Sequence, residues 1–165
     1  MPSLGSARGE GIRRLPEESR SLNKTALRAV YPGEMCTRAT LLKTQGPWLE
    51  AEIRLEGEVL TVMDDFSADE ANAPAPGQDF EIELSAPMVE GVTWESIRAG
   101  NPAKLRKLEP LGGWRYQAYG QVISIDPVVV DCGLVQLPEV FETKDPRVIG
   151  EYVAFPISRL DAAAW

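Results

Sequence analysis

Thirteen carboxylates crowd residues 50–95, where Arg54 is the single base, so that stretch carries a net charge of −12. Asp64, Asp65, Asp69 and Glu70 are the densest group. Hard cations take oxygen ligands, but the alternate ligands, loop glycine and closing glutamate of an EF-hand are missing here. Paired carboxylates also perform acid–base chemistry when two environments split their pKa values. A water-facing loop offers only one environment, so a solvated acidic surface is expected, with no metal ligand set and no cofactor.

A second group joins cations to rings. Arg98, Lys104, Arg106, Lys107 and Arg115 stand against Glu95 and Glu109, between Trp94 and the trio Trp114, Tyr116 and Tyr119. Rings stack on bases while cations follow phosphates, which is how single-strand binders work. The competing reading makes the aromatics core residues and the bases partners of the acidic strands. The third group is Asp126-Pro-Val-Val-Val-Asp131-Cys132-Gly133. A thiol becomes a nucleophile when a neighbouring cation or helix N-terminus lowers its pKa, and neither is close in sequence. A buried cysteine at a strand end is expected instead.

The chain has no histidine, which removes Ser-His-Asp and Cys-His catalysis as well as histidine metal ligation. No phosphate-binding glycine loop or dinucleotide fingerprint occurs. No catalytic residue is therefore expected. Cys36 and Cys132 form no CxxC pattern, and two free thiols are expected.

With 165 residues, 44 % hydrophobic and 25 % charged, the chain suits one globular domain or two very small ones. Thirteen prolines and fourteen glycines stop short of a disordered composition. No apolar run is long enough for a membrane helix, and the first thirty residues lack a secretion signal. A cytoplasmic protein is expected. Charge is uneven: the net is −8 overall but +3 over residues 1–38.

That pattern separates a basic leader, residues 1–34, from a single β-rich domain over 35–165, divisible into sub-barrels at 35–92 and 112–165. Within the leader, Leu22, Ala26, Leu27 and Val30 share a face of a short helix expected over Pro16–Val30. From Thr37 the period becomes two. Leu49–Glu56 alternates apolar and charged, Glu56-Gly57 turns the chain into Val59–Met63, and Asp64–Gln78 reads as a long surface loop. Asp79–Leu84 alternates again. Thr93 caps a short helix with Trp94, Ile97 and Leu105 directed inward, divided by Gly100 and Pro102.

After Gly112-Gly113 come four short apolar segments: Trp114–Ile125, Val128–Asp131, Leu134–Leu137 and Tyr152–Ile157. Short strands at that spacing suggest a small antiparallel barrel or sandwich, mainly β, with one or two short helices. The run from Tyr119 through Val128-Val-Val-Asp131 to Gly150-Glu-Tyr-Val-Ala-Phe-Pro-Ile157 is similar in outline to OB-type five-stranded barrels. The likeness covers the C-terminal half and implies architecture alone.

Two functions follow from these groups. In the first, the chain is a non-catalytic acidic protein, inhibitor- or immunity-like, docking on a basic protein partner through Glu50, Glu52, Asp64, Asp65, Asp69, Glu81 and Glu83. Such a charge excess steers a partner in and weakens with salt. In the second, an OB-like barrel binds single-stranded nucleic acid or another extended ligand through Trp94, Arg98, Lys104, Arg106, Lys107, Trp114, Arg115 and Tyr116. Neither involves a membrane, and neither fixes an oligomeric state.

Overall fold

A computed structural model describes residues 35–165; the leader and the helix expected over 16–30 lie outside the described residues. The first four strands are β1 (Cys36–Thr44), β2 (Glu50–Leu55), β3 (Glu58–Asp64) and β4 (Asp79–Ser85), followed by helix α1 (Trp94–Ala99). Strands β5 (Lys107–Gly112), β6 (Arg115–Ile125), β7 (Val128–Asp131) and β8 (Gln136–Pro138) come next. A 3-10 turn (Pro146–Val148), β9 (Tyr152–Ile157) and β10 (Asp161–Ala164) complete the order. The chain is mainly β, as its alternation predicts.

The alternation in Leu49–Glu56 becomes β2, with Ala51, Ile53 and Leu55 buried and the glutamates turned outward. Glu56 and Gly57 both take positive φ, 48° and 90°, which suits a two-residue hairpin turn. β2 then pairs antiparallel with β3 from Glu50↔Met63 to Leu55↔Glu58. β1 lies between β2 and β4.

The barrel closes in the order β1-β2-β3-β10-β4. Its last strand comes from the far end of the chain: β10 runs parallel to β3 (Asp161↔Met63) and antiparallel to β4 (Ala162↔Leu84). The sheet boundary therefore does not follow the chain. The C-terminal segments likened to half a barrel form a second, curled sheet in the order β5-β6-β7-β8, with β9 also on β6. Gln121 of β6 pairs with both Asp131 of β7 and Tyr152 of β9, so those two strands flank β6 on opposite edges.

One apolar cluster runs through both sheets, from Leu41, Ile53 and Ile82 in the barrel to Val122, Leu137 and Phe155 in the curled sheet. α1 begins as expected: the Thr93 hydroxyl accepts the Ser96 N–H at 3.2 Å, and Ile97 is buried. Leu105, expected to point inward, is exposed instead. The turn after α1 is pinned by Asn101, whose side chain accepts the Leu105 N–H and donates to the Leu105 carbonyl. That double clamp aims Leu105 away from the core.

The Asp64–Gln78 segment also departs from expectation at its start. Asp64 is the last residue of β3 and is wholly buried, at 0 % exposure. Its carboxylate accepts the Thr44 hydroxyl and the Ser67 N–H, the latter at 2.8 Å. Phe66 turns inward against Phe80, ring centroids 4.9 Å apart. The strand and the apolar anchor drag the acid inside.

Candidate functional site

The seven acids expected to form one docking face lie on β2, β3, β4 and the loop after β3. Glu52 pairs with Lys43 across β2 and β1 at 2.8 Å. Glu81 stands opposite Arg38 in the β4–β1 register, and Arg38 reaches Asp79 at 3.6 Å. The bases that offset this acidity sit on β1, between the two acidic strands. Glu50 packs under the β5–β6 turn, close enough that a Cβ on Gly113 would meet its Oε1 at 2.5 Å. Asp69 closes its own loop, accepting from Ala71 N–H and Asn72 Nδ2. The hydrogen bond from Arg159 to Asp161 raises the pKa of that guanidinium, and the Asp65 charge adds a smaller rise. Asp64 is an interior residue, so its expected role in a water-facing acidic surface is corrected.

Only Glu83 of the seven lines the concavity beside β4. This is a groove of about 1090 Å³ between the end of β4 and the β6–β8 side of the curled sheet. Its apolar lining includes Ala86, Met88, Ile125, Pro138 and Phe141. Glu83, Asp126, Glu139 and Glu142 contribute four carboxylates against the one cation, Lys144. Asp126 comes from the β6–β7 turn, and Glu139 and Glu142 from the segment that follows β8, where each reads as ordinary loop chemistry. No spacing in the sequence marks them as a set.

The basic-aromatic group also divides. Trp94 packs on Phe141 at 5.0 Å, and Arg98 makes two 2.7 Å hydrogen bonds to Glu151 while lying 6.0 Å from the Trp94 ring. Trp114 is half-buried in the β5–β6 turn, its carbonyl accepting the Leu160 N–H at 2.9 Å. Arg115 donates to the Leu111 carbonyl at 3.3 Å. Tyr116, expected on a ligand face, is 3 % exposed and belongs to the core. In β6 its partners in alternation are Ala118, Gly120 and Val122, all buried.

Lys104, Arg106 and Lys107 do come together, around Tyr119, part of the basic-aromatic group but not of its expected ligand-binding residues, and Tyr152, which lies outside that group. The Lys107 ammonium lies 5.6 Å from the Tyr119 ring and the Lys104 ammonium 5.8 Å from the Tyr152 ring. Arg106 bridges Asp131, at 3.1 Å, and the side-chain oxygen of Gln121. Alternation along β6 is the signal that separates Tyr119 from Tyr116. For Tyr152, the pairing of β9 with β6 is needed.

Cys36 and Cys132 are both free. Burial, reinforced by the neighbouring Asp131 carboxylate, pushes the Cys132 thiol up to about 12, which leaves it a small hydrophobe rather than a nucleophile. Among the described residues, no three histidine, cysteine, aspartate or glutamate side chains are grouped as metal ligands would be. Nor, among them, is any helix long and apolar enough to cross a membrane. No protein-family model, curated protein or solved structure matches the chain significantly.

Proposed function

We propose that the chain is a non-catalytic binding protein whose groove beside β4 receives a basic, partly apolar segment of a protein partner. The observation that carries this is the groove's composition: an apolar floor of Ala86, Met88, Ile125, Pro138 and Phe141 within a rim of four carboxylates and one lysine. Burial of apolar side chains on such a floor supplies affinity. The carboxylates select cationic partners and speed their approach, helped by a chain of net −8. An inhibitor- or immunity-like role fits this chemistry.

The barrel supports a protein partner too. We read its order, with the first strand between the second and fourth and the third parallel to the closing strand, as OB-like. In such barrels the face of strands two and three is a frequent ligand surface. Here that region carries Glu50 and Glu52, which repel phosphate.

The test is titration of lysine- and leucine-rich amphipathic peptides of about 15 residues, followed by calorimetry at low and high salt. Salt-sensitive binding lost by tenfold or more in the Glu139→Lys/Glu142→Lys double variant is the expected result. Equal affinity for an acidic peptide of the same hydrophobicity, or no change in the double variant, overturns the proposal.

A further inference from the structure

We infer that the outward side of the curled sheet is a separate site for single-stranded nucleic acid, with Tyr119 and Tyr152 stacking on bases and Lys104, Arg106 and Lys107 meeting phosphates. The inference begins with register. In β6 the residues at 116, 118, 120 and 122 are buried, so Gln117, Tyr119 and Gln121 face the other way. Lys107 of β5 is directly opposite Tyr119, and Tyr152 of β9 is directly opposite Gln121. Directly paired residues share a face. Tyr119 and Tyr152 are therefore diagonal neighbours across two adjacent strands, a spacing of roughly 7–8 Å. Two bases of one strand can use both rings.

The cations are placed by the loop that leaves α1. Gly100 sits so close to β9 that an added Cβ would come within 2.9 Å of the Ala154 Cβ. Asn101 donates to the Val153 carbonyl at 3.2 Å. This anchored loop carries Lys104 to the Tyr152 ring, while the start of β5 carries Lys107 to the Tyr119 ring. Residues 98–121 hold five bases and one acid in a chain whose net charge is −8. Of the nearby carboxylates, Glu109, Asp131 and Glu151 already engage Lys107, Arg106 and Arg98, while Glu95, in the same concavity as Lys104 and Tyr152, forms no ion pair among the described residues. Among the described residues, Lys104 and Arg115 form no ion pair; the bridges of Arg106 and Lys107 are solvent-exposed, so on binding these two cations exchange a carboxylate for a phosphate.

Rings on a sheet face tolerate any base because every base has a π-face, and flanking cations follow the backbone. Paired bases in a duplex are already stacked and cannot use the rings, so single strands are the class that fits. This site is on a different surface from the acid-rimmed groove and does not depend on it.

The test is fluorescence anisotropy of a labelled 12-nucleotide oligothymidylate with the full chain, titrated from low to high salt. Tyr119→Ala and Tyr152→Ala should each weaken binding about tenfold, whereas Tyr152→Phe should retain it. The surface pair Lys104→Glu/Lys107→Glu should weaken it further and lower the slope of log affinity against log salt by about 0.7 for each phosphate that is no longer neutralised. These two lysines are exposed, so that variant remains informative if a tyrosine variant fails to fold. Duplex DNA of the same length should bind at least tenfold more weakly. No binding by the wild type overturns the inference. So do alanine and lysine variants within twofold of wild type, which would assign any binding to the basic leader. The groove double variant Glu139→Lys/Glu142→Lys should not lose oligonucleotide binding, which keeps the two sites distinguishable.

Discussion

The Tyr116 hydroxyl both accepts the Thr61 N–H, at 2.8 Å, and donates to the Thr61 carbonyl, at 2.9 Å. Thr61 lies on β3, whose pairing with β10 reaches only Met63 and Asp64. One side chain from the curled sheet thus satisfies the strand edge where the barrel's closing strand has not arrived. It also ties the two sheets together at a point where both partners are backbone groups of a single residue.

Tyr116→Phe should cost about 1–3 kcal/mol, because both Thr61 groups lose their partner; chemical denaturation at pH 7 measures it. Burial pushes the Tyr116 pKa upward, a rise only partly offset by the hydrogen bonds to Thr61 and reinforced by Glu50. The unfolded tyrosine ionises near 10 and the folded one later. Stability is therefore fully present below pH 10 and falls as pH rises from there through the folded value. The gap between wild type and Tyr116→Phe should narrow in that window, as unfolding curves at pH 9 and pH 11 would record.

Asp64→Ala should destabilise by about 1.5–3 kcal/mol, since a buried carboxylate that accepts two hydrogen bonds leaves its donors orphaned when removed. Asp69→Ala, on an exposed loop, should stay within about 0.5 kcal/mol of wild type. Thermal melts of the two single variants check the contrast. Equal effects would remove Asp64 from the interior.

Gly120→Ala should cost about 1–3 kcal/mol through overpacking. An added Cβ would lie 2.7 Å from the Asp131 carbonyl oxygen and 2.6 Å from a Val130 methyl. The first of these is backbone and cannot step aside. Urea unfolding of the variant measures the cost.

A thiol reagent at pH 8 should modify one cysteine in the native protein and two after denaturation. Cys36 is half-buried on β1, whereas Cys132 is fully buried with its pKa pushed to about 12. Modification of both thiols at the same rate would show that the interior around Cys132 opens readily.

Where local pattern and tertiary environment agree, the sequence is legible. The β2–β3 hairpin and the Thr93 cap fall where alternation and capping chemistry put them, and β9 is one of the short apolar segments. β5 escapes because nearly every residue in it is exposed and Pro110 interrupts it, so it shows no period. Pro is tolerated on such an edge strand. β10 escapes because Asp161-Ala-Ala-Ala164 has little intrinsic strand preference; its conformation is imposed by β3 and β4. The candidate site is harder still to read. Glu83 is legible as an outward strand residue, but Asp126, from the β6–β7 turn, and Glu139 and Glu142, from the segment after β8, converge on it only through tertiary packing. Tyr152 and Tyr119, 33 positions apart in the chain, become neighbours only when β9 pairs with β6.

The barrel cannot close until residues 161–164 have been synthesised, so β3 and β4 wait through the whole curled sheet before they receive the strand between them. During that interval their edges offer unpaired N–H and C=O groups to any other nascent chain. The pairings that end the wait span about eighty residues to β4 and about a hundred to β3, and such long loops are slow to shut. Assembly of this protein is therefore sensitive to the order in which its parts emerge from the ribosome. A circular permutant opened between β4 and α1, in which β10 is made before the other four barrel strands, should mature faster and aggregate less.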